Sequence, residues 1–178
     1  MKKYISLANG GSLAGAIAFA LFLVIYYGLG SNPFGMWKFL ILVVPAVLMY
    51  RSVRNYRETE GEGFLTYGQG LMAGIVFGFV YASLNAMLIY LYGLTIDGGY
   101  VEAFKLDNLE TLGQSKDQLI GFIGENQYRE MINEIESMTL GGLAFGDFQS
   151  KSIGVFLMAL IVAGILKQTP PTFDTEDE

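Results

Sequence analysis

The sequence predicts an all-α integral membrane protein, a four-helix bundle with an extracytoplasmic helical hairpin between spans three and four. Of its 178 residues, 52% are hydrophobic and only 16% are charged. A soluble domain carries roughly 25% charged residues. The apolar residues are also clustered, since residues 4–37 and 63–96 contain no acid or base other than tyrosine. Each run exceeds the ~20 residues that a helix needs to cross a bilayer core.

The first span is predicted at residues 5–29 and the second at residues 34–50. The first is longer than the apolar region of a signal peptide, which has about 7–15 residues, so we expect it to be retained. Lys38, near the start of the second span, is expected to extend its ammonium group to the interface. Pro45 is expected to kink the same helix.

The third span is predicted at residues 64–94 and the fourth at residues 148–166, with Lys151 near the start of the fourth. The first and third spans contain no ionisable acid or base. The lysines of the other two spans are expected near their outer ends. Residues 169–178 form an acidic tail that we expect to be disordered.

Basic residues in the short connections predict the orientation of the four spans. They fall on one side of the membrane, which the positive-inside rule makes cytoplasmic, so both termini are expected inside. A bacterial inner membrane is the expected location. The basic residues are Lys2, Lys3, Arg51, Arg54, Arg57 and Lys167.

The segment at residues 95–147 is then expected outside the cytoplasm. It carries ten acidic residues against three basic ones. Its apolar spacing predicts two helices. The second helix is expected to begin with a capping box at Ser115 and Gln118 and to end at Gly141. We expect this hairpin to lie over the bundle.

A stripe of small residues follows one face of the third span, and a shorter one follows the first span. Small residues at every fourth position let helix backbones approach closely in lipid. Packing within the chain is the favoured interpretation. A face for a homo-oligomer or for a partner helix is the alternative. The residues are Gly70, Gly74, Gly78, Ala82 and Ala86, with Gly11 and Gly15 in the first span.

Few residues could carry chemistry. The chain has no Cys and no His, which excludes thiol and imidazole chemistry and the usual zinc sites. We expect no catalytic residue, no metal and no cofactor. Asn85, Ser83 and Tyr81 are the main polar groups predicted within the membrane, and Asn85 is expected to join helices by hydrogen bonds rather than to bind a substrate.

A short motif at the start of the third span carries a family resemblance, together with Tyr56-Arg57 before it and Ile96-Asp97 after it. The chain resembles an uncharacterised family of four-span membrane proteins common in Bacteroidota, domain of unknown function 4199. Many members have proline after the Ile-Asp pair, where this chain has Gly98. The resemblance implies a fold and a bacterial inner membrane, and it implies no activity. The motif is Phe64-Leu65-Thr66-Tyr67-Gly68-Gln69-Gly70.

These observations predict a non-enzymatic scaffold or accessory subunit of a membrane complex. Its expected partners are the lipid bilayer and another membrane protein or further copies of itself, and nucleic acid is not expected because the net charge is −6. The alternative is a small oligomeric transporter or channel. That alternative rests on a local likeness between residues 11–15 and 70–74, which suggests a parallel repeat.

Overall fold

The structure, a computed structural model, describes residues 4–170, except for the side chain of Lys38. Lys2, Lys3 and the predicted disordered tail beyond residue 170 lie outside the described residues, and so does the predicted interfacial position of the Lys38 ammonium. Four helices of the described part are long and apolar enough to cross a membrane. The all-α, four-span prediction is therefore confirmed.

The first two spans lie close to their predicted positions. Helix α1 covers Ile5–Leu23 and continues as a π-helical turn, Val24–Gly28. Helix α2 covers Trp37–Glu60 and runs through Pro45. It extends beyond the predicted end at residue 50, so the three arginines lie on its last turns rather than in a loop. Basic side chains near a helix C-terminus interact favourably with the helix dipole, which is consistent with this extension.

Helix α3 covers Tyr67–Thr95 and lies between α1 and the last helix. It begins after the predicted residue 64 because a capping box fixes its start. The Gln69 backbone N–H donates to the Thr66 hydroxyl at 3.3 Å, and the Thr66 N–H donates to the Gln69 side chain at 3.0 Å. Both donors would otherwise lack partners within the helix.

The segment between the third and fourth spans contains three helices rather than the predicted two. They are α4, Gly99–Gln114, α5, Lys116–Ile123, and α6, Glu125–Glu136. Gly124, with φ of +84°, separates α5 from α6 because only glycine adopts this conformation readily. Ser115 does lie at the start of α5, but its side chain makes no capping hydrogen bond, so that predicted box is absent.

Helix α7 covers Leu140–Leu166 and therefore begins well before the predicted residue 148. The Thr139 hydroxyl accepts the Gly142 N–H at 3.1 Å and caps the first turn. Residue 141, predicted as the end of the hairpin, is thus inside the fourth span. This early start places Asp147, in addition to Lys151, within the membrane-spanning helix.

An aromatic cluster holds α4 against the end of the bundle at which α1 and α3 terminate. The Tyr100 ring lies 5.2 Å from that of Phe22, between ring centroids, and its hydroxyl donates to the Ile89 carbonyl at 2.8 Å. At the opposite end, the backbones of Leu65 and Gln168 exchange hydrogen bonds of 2.8 and 2.9 Å. The start of α3 and the end of α7 are therefore joined directly.

Candidate functional site

A cluster of buried polar side chains connects three membrane-spanning helices. The Lys151 ammonium of α7 donates to Asp147 Oδ2 at 2.5 Å, one turn earlier in the same helix. It also donates to Asn85 Oδ1 of α3. The Asn85 amide in turn donates to the Gly15 carbonyl of α1 at 3.0 Å. Asn85 is completely buried, and the Lys151 and Asp147 side chains are 10% and 9% exposed.

The cluster lies near the middle of helix α7 rather than at its end. Helix α7 has 27 residues, which at a rise of about 1.5 Å each gives a length of about 40 Å centred on Ile153. Along the axis, Lys151 is about 3 Å and Asp147 about 9 Å from that centre. With α7 centred, both fall within a hydrocarbon core of about 30 Å.

The expectation that lysines of the spans lie only near outer ends is therefore wrong for Lys151, and Asp147 is not part of an external loop. Hydropathy places the start of a span where the apolar run begins. Helix α7 instead starts at Leu140, after the Thr139 cap, so Asp147 at the end of its second turn belongs to the membrane-spanning helix. Asp147 and Lys151 can lie within the span together because they form an i,i+4 ion pair with no net charge.

The charge balance of the cluster is also what makes it stable in lipid. On insertion scales, a lone Lys or Asp at the centre of a membrane helix costs about 2.5–3.5 kcal/mol. In the ion pair each charge has an opposite charge at hydrogen-bond distance, and Asn85 supplies Lys151 with a second acceptor. Removing either charge alone would leave the other buried without compensation.

A groove of about 440 Å³ opens beside this pair, between α7 and α2, and we call it the α7 groove. Asp147 and Lys151 line it, together with apolar side chains of α2 and of the segment between α3 and α7, such as Leu42, Phe104 and Met138. A cleft with apolar walls and a few polar groups is the usual form of a binding site in proteins.

The α7 side of the groove is formed by small residues at every fourth position. This stripe was not predicted from the sequence, which indicated small-residue faces on the first and third spans only. A Cβ atom at Gly146 would meet nothing within 4 Å, and one at Gly154 would make only ordinary contact with Leu42. The stripe is Gly142, Gly146, Ser150 and Gly154.

The glycines of α3 and α1 are placed inside the chain. A Cβ at Gly74 would lie 2.6 Å from the Ala159 Cβ of α7, and one at Gly78 would lie 2.1 Å from Val155 Cγ1. Gly70 faces Ala163 in the same way. This arrangement corresponds to the favoured interpretation, packing within one subunit, and it leaves these three positions no room for a partner helix.

The remaining small residues of these faces are also largely covered. Gly11 and Gly15 lie against the α3 backbone, since their Cβ atoms would approach the Phe77 and Tyr81 carbonyls to 2.5 and 3.1 Å. Ala82 is fully buried and Ala86 is half-buried.

Two further polar residues were predicted within the membrane. Tyr81 is fully buried, and its hydroxyl has no hydrogen-bond partner among residues 4–170. The Asp147 carboxylate is close enough to act on it electrostatically. Ser83 is half-buried on α3. The structure thus brings Asn85 to the ion pair, whereas Tyr81 makes no hydrogen bond with it.

The arginines at the end of α2 differ in environment. Arg54 Nε donates to Glu58 Oε1 at 2.9 Å, with both side chains about half exposed. Arg57 is more buried and donates to the Leu166 carbonyl at 3.5 Å, which ties α2 to the end of α7. Arg51 is exposed. Their role in setting topology stays a prediction.

A second polar site lies at the C-terminal end of α3, where Asp97 stands just beyond the candidate span. Asp97 Oδ2 accepts the Tyr27 hydroxyl at 2.6 Å, and Oδ1 accepts the Gly99 N–H at 2.7 Å. The Tyr27 hydrogen bond, followed by that of Gly99, lowers the pKa of Asp97. Burial raises the pKa of the nearby Tyr100. These bonds hold the turn into α4, which covers the bundle.

Within the described residues no group of three or more His, Cys, Asp or Glu side chains could hold a metal ion. A family model with the description "protein of unknown function (DUF4199)" matches residues 9–168. No curated protein matches the chain, and no solved structure does.

Proposed function

The chain belongs to the DUF4199 family of proteins of unknown function, and we propose that it acts as a non-enzymatic accessory or scaffold subunit of a membrane complex. The observation that carries the proposal is the α7 groove, in which open small residues lie beside a buried ion pair. We propose that a transmembrane helix of a partner protein occupies this groove.

The form of the groove favours a helix over a lipid chain as its occupant. Small residues at every fourth position bring two helix backbones together, and close packing is what drives helix association in lipid. A flexible lipid chain fills an apolar cleft without that spacing. The ion pair adds polar contacts that a lipid chain cannot make, and intramembrane ionisable groups generally mark functional sites.

The same proposal includes the location of the protein. We place it in the inner membrane of a bacterium of the Bacteroidota, with both termini in the cytoplasm. The support is the position of Arg51, Arg54 and Arg57 at one end of α2, the end that the positive-inside rule makes cytoplasmic. The α7 groove then lies in the outer half of the bilayer, below the acidic helices α4 to α6.

Site-specific cross-linking in native membranes tests this function. A photoreactive residue replaces Ile153, which lines the groove and is 64% exposed. The matched control replaces Ile165, which is equally exposed on α7 but does not line the groove. We expect a cross-link from position 153 alone to a transmembrane helix of another integral membrane protein, mapped by mass spectrometry.

Filling the groove gives the second half of the test. Gly146→Leu adds a side chain to the groove, and Gly164→Leu is its control, since a Cβ at either position meets nothing within 4 Å. We expect the first variant to abolish the cross-link and the second to retain it. Cross-links only to lipid, or only to a second copy of the chain, would refute the accessory-subunit proposal.

A transporter or channel is the second candidate, and the buried Asp147–Lys151–Asn85 cluster is the observation that favours it. Vesicles reconstituted with the purified chain would then show ion or solute flux that Lys151→Met removes. Flux at the level of empty vesicles would exclude this candidate for the isolated chain.

A further inference from the structure

We propose that the helix in the α7 groove presents an uncharged hydrogen-bonding side chain, namely Asn, Gln, Ser or Thr, to the Asp147 carboxylate. This inference rests on the proposed function and names the chemistry of the partner at that site. It follows from polar groups around Asp147 that the chain itself leaves without hydrogen bonds.

Only one of the two Asp147 carboxylate oxygens accepts a hydrogen bond within residues 4–170. Its Oδ2 atom accepts the Lys151 ammonium at 2.5 Å, whereas Oδ1 accepts no hydrogen bond from residues 4–170. An ionised carboxylate has room for about four hydrogen bonds. Asp147 lines the α7 groove, so a donor on an arriving helix can reach it.

A buried hydroxyl on α3 is also without a hydrogen-bond partner in residues 4–170. Tyr81 is fully buried, and its oxygen is without a hydrogen-bond partner in the described part of the chain. The field of the Asp147 carboxylate reaches it. Buried polar groups in proteins nearly always have partners, so this unpaired hydroxyl on α3, which packs against α7, shows that the polar groups between the two helices are not all satisfied within the described chain.

Two further polar side chains lie on an exposed face of α7. Gln149 and Ser150 are exposed near the middle of the helix, and neither side chain makes a hydrogen bond within residues 4–170. Ser150 lines the groove. In a bilayer such groups have no water to pair with, and side chains of a neighbouring helix are their normal partners.

Charge balance decides that the incoming side chain is neutral. Lys151 already neutralises Asp147, since the ammonium lies 2.5 Å from the carboxylate. A Lys, Arg, Asp or Glu on the occupant would introduce a net charge into the hydrocarbon core, which is unfavourable. An amide or hydroxyl instead donates to Asp147 Oδ1 and leaves the balance unchanged.

The test removes the exposed polar groups and measures the cross-link from position 153 in native membranes. The double variant Gln149→Leu/Ser150→Ala keeps the fold, because neither side chain has a partner in the described chain. We expect the cross-link yield to fall by about 3-fold to 18-fold, the range for one hydrogen bond between membrane helices. The matched control is Asn9→Leu, an exposed amide on α1 outside the groove.

Asp147 is tested with its charge balanced. In Asp147→Leu/Lys151→Met the two side chains carry no charge, and position 147 cannot accept a hydrogen bond, so we expect a similar loss. In addition, the cross-linked helix should contain Asn, Gln, Ser or Thr at the level of Asp147, and changing that residue to Leu should weaken the cross-link equally.

The possible results separate this inference from the proposed function. A position-153 cross-link that is insensitive to both double variants, or a partner helix that is purely apolar or charged at that level, overturns the inference and leaves the accessory-subunit proposal standing. Absence of any protein cross-link from position 153 overturns both.

Discussion

The close contact between α3 and α7 predicts that the smallest possible enlargement of α3 is destabilising. In Gly74→Ala the new Cβ would lie 2.6 Å from the Ala159 Cβ and 3.1 Å from its Cα, whereas ordinary contact begins at 3.4 Å. The two helices must therefore separate by several tenths of an ångström or more. Overpacking of this kind costs about 1–3 kcal/mol.

A matched glycine removes the effect of helix propensity from the comparison. Gly146→Ala is also inside a helix, but its Cβ meets nothing within 4 Å. Alanine is favoured over glycine by about 1 kcal/mol in a helix interior, and this gain is common to both variants. The difference between them, about 1–3 kcal/mol, then reports packing alone.

Thermal unfolding of the purified protein in detergent is the assay. For a chain of this size, 1 kcal/mol corresponds to about 2–4 °C, so Gly74→Ala should melt about 2–12 °C below Gly146→Ala. Equal melting temperatures for the two variants would refute the reasoning, because α3 and α7 would then not need their close approach.

Two further predictions concern ionised groups. Lys151→Met should destabilise the protein by about 3–5 kcal/mol, and adding Asp147→Leu should recover most of that loss, as measured by detergent unfolding; equal stability of the single and double variants would contradict the buried pair. The lowered pKa of Asp97 means that its stabilising bonds are fully present above its ordinary value of about 3.9 and are lost as the pH falls through the folded value. The Gly99 amide NMR shift should therefore titrate below pH ~3.9, and Tyr27→Phe should raise that midpoint; an unchanged midpoint would show that the Tyr27 hydrogen bond is not the cause.

The fold class was predictable because long apolar runs have few alternatives in a membrane. The apolar runs at residues 4–37 and 63–96 contain the observed spans Ile5–Gly28 and Tyr67–Thr95. Helix ends were harder to predict. Arg54 continues α2 by pairing with Glu58 at i,i+4, and hydropathy cannot distinguish a charged helical turn from a loop.

The groove and its ion pair were missed for the same reason. A predicted start at residue 148 removes Asp147 from the membrane and leaves Lys151 at its edge. Three local signals were present in the sequence, namely the capping residue Thr139, the i,i+4 spacing of the charged pair, and small residues at every fourth position from Gly142. These signals combine into one membrane-spanning site only when α7 is taken to begin directly after Thr139.

The α3 glycine stripe shows a different limit. Its spacing predicts a close helix neighbour but does not identify it, since a helix of the same chain and one of another protein give the same pattern. The structure places Ala159 and Val155 of α7 there. Three-dimensional packing was needed to move the candidate partner surface from α3 to α7.

The pairing of α3 with α7 also has a consequence for the biogenesis of the protein. Asn85 and Lys151 are 66 positions apart, so at about 5–20 residues per second the ribosome needs about 3–13 s to make the second after the first. Throughout that interval the glycine stripe of α3 has no helix to cover it. A chain that ends before α7 would therefore leave the glycine face of α3 exposed to lipid or to helices of other proteins.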